Sequence, residues 1–133
     1  MITFDRGIIA KLIEGDEQVI SHVTRYSGEE WTIPALVAWG SYKACRSRAE
    51  MRRVQRTLRS EFDRVIDFSD DIALEAAYLD ERLQSQGVSL DTVDLLNLAT
   101  AYEDGGTFVT HNSRDFDTAP LHDIADVDVV YTE

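Results

Sequence analysis

Several acidic side chains stand just past two short apolar runs. Asp5 follows Ile2–Phe4, and Asn112, Asp115 and Asp117 follow Thr107–Thr110. A further carboxylate, Asp94, lies near the start of the apolar stretch that precedes the second run. If the two runs are strands of one parallel sheet, their carboxyl ends share an edge, and α/β proteins place their ligands at such edges. Carboxylates gathered there repel one another unless a cation joins them. Hard oxygen donors without cysteine or histidine suit Mg²⁺ or Mn²⁺. Such ions activate water and hold phosphates, so the chemistry on offer is hydrolysis of a phosphate ester. Each acid also has a plainer use. Asp94 could complement a helix dipole, Asp91 could be an N-cap and Asp115 a turn residue. Asp5, directly after a buried strand, has no capping task as evident.

The elements that must position these groups follow from the hydrophobic pattern. Ile2–Phe4 reads as a buried strand, followed by helices over 7–13 and 16–26, the second capped by Asp16. A second strand is expected at 31–33, with Pro34 in the first turn of a helix running to Cys45. A polar helix over 47–60 precedes a strand at Arg64–Ile66. Ser69 caps a helix with Ile72, Ala76, Leu79 and Leu83 on one face, ending near Gly87. Asp91 opens a more apolar helix, closed by Gly105 and Gly106 ahead of Thr107–Thr110, and a last strand is expected at 128–131. Helices alternating with short apolar strands imply a parallel sheet covered on both faces.

The chain has 133 residues, of which 44% are hydrophobic and 29% charged, enough for one core and one domain over 1–133. Its apolar runs are short and interrupted by Asp5 and Arg6, so neither a membrane span nor a signal peptide is expected, and a cytoplasmic protein is. The lone Cys45 cannot close an intrachain disulfide. Thirteen Lys and Arg against 25 Asp and Glu give a net charge of -12, which argues against a general DNA coater. The scarcity of lysine and the excess of Asp over Glu resemble proteins of salt-accumulating cells. There the Debye length is about 3 Å, and acidity does not exclude RNA.

One segment runs against the overall charge. Between Lys43 and Arg64 eight cations face three acids, a balance of +5 that leaves -17 for the rest. Arg52, Arg56 and Arg59 recur at helical spacing and share a face that could grip phosphates or an acidic partner, or could be a solvated face paired with local acids. Trp31, Trp39 and Tyr42 lie nearby and could support a groove or a dimer contact, or belong to the core.

Taken in order, Ile2–Asp5, the segment Pro34-Ala35-Leu36-Val37, the stretch Asp94-Leu95-Leu96-Asn97-Leu98-Ala99-Thr100-Ala101 and the stretch from Thr107 through Asn112 and Asp115 to Phe116 resemble a PIN domain of the VapC toxin type over the whole chain. The resemblance implies a three-layer α/β/α sandwich around a central parallel sheet. It implies a Mg²⁺- or Mn²⁺-dependent endoribonuclease, with Asp5, Asp94 and Asp115 as metal ligands and Asn112 as a polar helper. It further implies an antitoxin that holds the nuclease inactive, docked partly on the arginine segment, and a homodimer. Two departures stand out. Asp5 is followed by Arg6-Gly7 instead of small polar residues, and the helix after Pro34 carries Gly40, with Ser41 beside it, where the resemblance calls for a glutamate. Arg6 either points inward, replacing part of an ion's charge, or is solvated. The expectation is therefore a nuclease with weakened activity. The alternative is a degenerate PIN-like module that binds a protein or RNA without cutting. A flavodoxin-like or receiver-like domain is more distant.

Overall fold

The computed structural model describes residues 1–132; the domain expected over 1–133 ends on Glu133, outside the described residues. In chain order the elements are β1 (Ile2–Phe4), α1 (Arg6–Glu14), α2 (Glu17–Thr24), β2 (Trp31–Pro34), α3 (Ala35–Lys43), α4 (Arg48–Glu61), β3 (Arg64–Ile66), α5 (Asp70–Ser85), α6 (Thr92–Asp104), β4 (Thr107–Thr110), α7 (Ser113–Phe116), α8 (Ala119–Ile124) and β5 (Val127–Val129). The five strands are all parallel and ordered β3-β2-β1-β4-β5. The chain works outward from β1 to β3, then crosses back to lay β4 on the other side of β1. The topological switch point therefore lies between β1 and β4, the place where open parallel sheets bind their ligands.

Strand alternation sends neighbouring side chains to opposite faces, and each face builds its own core. Phe108 packs with Leu79 and Leu83 of α5, Leu98 of α6 and Leu121 of α8, whereas Val109 joins Phe4, Ile8, Val19, Ile33 and Leu58 on the side of α1 to α4. Helices thus cover both faces, giving the expected three-layer α/β/α sandwich. Each fully buried Leu, Ile or Phe contributes about 1.5–3 kcal/mol. Between the layers Thr32 donates to the Ile2 carbonyl at 2.8 Å and bonds the Thr3 hydroxyl at 2.9 Å, which satisfies two buried polar groups.

Four local expectations are corrected. Pro34 ends β2, paired with Ile66, and caps α3 with an extended backbone instead of entering its first turn. That helix stops at Lys43, short of Cys45. The last strand is Val127–Val129, because its pairing with Phe108, Val109 and Thr110 fixes the register earlier than hydrophobicity suggests. The loop after β4 holds two short helices, α7 and α8, too brief to show a period.

Candidate active site

Asp5 leaves the carboxyl end of β1 and is 7% exposed. Contrary to the sequence reading it does have a capping role. It is the N-cap of α1, and its Oδ1 accepts the Arg6 amide at 2.7 Å. Its Oδ2 accepts the Thr110 hydroxyl at 2.8 Å. Burial pushes this carboxyl above the usual range, against the pull of the Thr110 hydroxyl, the Arg6 amide and the Arg6 charge.

Thr110, at the end of β4, is the residue the sequence reading missed. Its hydroxyl donates to Asp5 and accepts the Asn112 amide at 3.1 Å. Asn112 caps α7 through its Oδ1, which accepts the Asp115 amide at 3.3 Å, while its Nδ2 donates to Asp115 Oδ2 at 2.9 Å. A capping box closes in much this reciprocal way. Asp5, Thr110, Asn112 and Asp115 are thereby linked in one chain of hydrogen bonds across the switch point.

Asp94 stands in the first turn of α6, half-buried, and its carboxylate makes no hydrogen bond or ion pair among the described residues. Its pKa is pushed up to about 6, first by burial and then by the negative charges of Asp5, Asp115 and Asp91. Asp91 is the N-cap of α6, although its side chain makes no cap hydrogen bond. One turn further along, Asn97 is 2% exposed, and its Oδ1 is buried without a partner among the described residues. That orphaned acceptor is a second group the sequence did not single out.

The donor set suits a hard divalent cation, because the acids that raise the Asp94 pKa do so by repulsion that a cation relieves. Among the described residues no three His, Cys, Asp or Glu side chains are drawn together closely enough to hold an ion unaided. Mg²⁺ is ordinarily held by one or two carboxylates, with waters and substrate phosphates completing its octahedron, so an open arrangement of this kind fits it. Gly40 is buried on α3, and the Arg6 side chain lies across it.

Away from this edge, Arg52, Arg56 and Arg59 are all exposed on α4, and none makes an ion pair among the described residues. Of the cations in that segment, Arg64 is the paired one, reaching Asp104 at 2.6 Å and Glu30 at 3.1 Å. Trp31 packs edge-on against Phe4 at 5.0 Å as a core residue, whereas Trp39 is exposed beneath Lys43 at 4.5 Å. An apolar groove of about 480 Å³ opens between α1, α2 and α4, lined by Leu12, Ile13, Ile20, Trp31, Leu58 and Phe62. Among the described residues no helix is long and apolar enough to cross a membrane.

The PIN domain family model matches residues 2–120. No curated protein matches the sequence. Among solved structures, a toxin-antitoxin complex from Klebsiella pneumoniae is 22% identical with a TM-score of 0.78, the match covering 100% of each chain. FitAcB from Neisseria gonorrhoeae is 18% identical with a TM-score of 0.76, covering 96% of each chain. VapBC2 from Rickettsia felis, bound to a DNA fragment from its promoter, is 18% identical with a TM-score of 0.74, covering 97% of this chain and 98% of that one. These likenesses show a shared fold.

Proposed function

Because the chain belongs to the PIN domain family, with 2–120 matched, we propose that it is a VapC-like toxin that hydrolyses RNA phosphodiesters with the help of Mg²⁺ or Mn²⁺. The observation that carries this reading is Asp94, an unpartnered carboxylate in the joint field of Asp5 and Asp115 at the switch point. Asp5, Asp94 and Asp115 would hold the ion, which when bound activates a water and offsets charge developing on the phosphate. Asp5 is fixed by burial and two hydrogen bonds, so it sets the position of the centre. Asn112 holds Asp115 in place and leaves one of its oxygens free. Asp94, tied to nothing, is free to turn toward a cation and can take a proton near pH 6. The partner that accompanies this reading is a cognate antitoxin; the similarity to toxin-antitoxin complexes, the exposed arginines of α4 that make no ion pair among the described residues and, separately, the open apolar groove between α1, α2 and α4 support it. A cytoplasmic homodimer completes it, to be checked by size-exclusion chromatography with light scattering.

Calorimetric titration of Mn²⁺ at high KCl, with an RNA cleavage assay on the same samples, tests the reading. Wild type should bind and cut, and Asp5→Asn with Asp94→Asn should lose both while keeping its circular dichroism. Loss of a ligand should cost at least the 10–100-fold typical of removing a ligand's supporting partner. Gly40 favours a second reading, a module that binds RNA or a protein without cutting, since no acid projects from that turn of α3. Folded wild type with no saturable Mn²⁺ binding would decide for the module.

A further inference from the structure

Gly40 and Arg6 form a matched pair beside the acids. A Cβ added at Gly40 would stand 3.0 Å from Arg6 Cδ, 3.3 Å from Nε and 3.6 Å from Cζ. The arginine stem and the edge of its guanidinium therefore rest on bare helix backbone, in space that any other residue at 40 would claim. Arg6 begins α1 directly after Asp5, so its charge is held at the carboxyl edge of β1. Although its charge reaches Asp5, the guanidinium makes no ion pair or hydrogen bond among the described residues, and the residue is exposed. The result is a positioned cation with its whole donor fork unused. A planar fork of this kind matches two oxygens of a phosphate, and packing of the stem lowers the entropy lost when it engages one.

We propose that Arg6, seated on Gly40, is a phosphate-docking residue that grips the non-bridging oxygens of an RNA backbone beside the acidic centre. The proposal deepens the nuclease reading and rests on it for the identity of the anion. It divides the labour at this edge between carboxylates that face a metal and an arginine that faces the substrate.

The test is fluorescence anisotropy of a labelled single-stranded oligoribonucleotide in EDTA over a range of KCl, with wild type, Arg6→Ala, Arg6→Lys and Gly40→Glu. Arg6→Ala should weaken binding about tenfold or more, the loss of one charge-assisted contact. It should also lower the slope of log K against log salt by about 0.7, the value for one phosphate on a single strand. A merely structural role would not move that slope. Arg6→Lys should keep the slope and recover part of the affinity. Gly40→Glu places a carboxylate against the guanidinium and should bind RNA as weakly as Arg6→Ala, with no further loss when the two are combined. Unchanged affinity and slope in Arg6→Ala would overturn the proposal, as would a folded wild type that binds no RNA in EDTA. Failure of the nuclease reading looks different: RNA is bound through Arg6 but never cut with Mn²⁺.

Discussion

At pH 7 the metal-free protein carries Asp94 ionised at a cost. Its folded pKa of about 6 lies above the ordinary 3.8, so the folded state keeps this proton longer than the unfolded one. Stability from this group is therefore lost as pH rises from about 4 through 6, and the full penalty is present above 6. Asp94→Asn should melt higher than wild type in EDTA above pH 6, with the two converging near pH 4, while Mn²⁺-dependent cleavage disappears. Equal melting temperatures at pH 7.5 would show that the carboxylate is not strained. Thr110→Val should act in the opposite sense. It strips one partner each from buried Asp5 and from the Asn112 amide, at a cost of about 1–3 kcal/mol readable by urea unfolding. Asp5, Asp94, Asn112 and Asp115 were legible because strand ends and helix starts announce themselves locally. Thr110 and Asn97 were not, because their roles depend on neighbours brought from elsewhere: Thr110 meets Asp5 across 105 residues.

Among the elements, α4 buries Leu58, which is 2% exposed, packs Val54 against the same core and turns its arginines outward. Charge reversal in Arg52→Glu with Arg56→Glu should leave stability within about 0.5 kcal/mol, as for most surface changes. It should weaken binding of the antitoxin or RNA, measured by titration of the purified partner. An unaltered affinity would return this face to plain solvation. Caps are the other determinant at this scale. The Ser69 hydroxyl accepts the Ile72 amide at 3.2 Å, and Ser69→Ala should cost about 1 kcal/mol in denaturant unfolding. Periodicity was enough to place α5 and α6, whose apolar faces repeat over several turns. It could not place α7, four residues long, whose existence rests on the reciprocal bonds of Asn112 and Asp115. Nor could it set β5, since strand register belongs to the pairing with β4.

For the molecule as a whole, a net charge of -12 spread over 133 residues repels itself in dilute buffer. Screening shortens that repulsion to about 3 Å at molar salt, so the melting temperature should climb as KCl rises from dilute to molar, followed by circular dichroism. The fold class was legible from alternating helices and short apolar strands, but the order β3-β2-β1-β4-β5 was not, because nothing local says on which side of β1 a later strand will land. That order has a consequence in time. The groove draws on residues from Ile9 to Phe62, whereas Asp5 waits for Thr110, 105 residues behind it. At about 5–20 residues per second of synthesis, Asp5 is out for roughly 5–20 s before its partner exists. The walls of the groove are thus made first, and the hydrogen-bonded chain from Asp5 through Thr110 to Asp115 can close only near the end of translation.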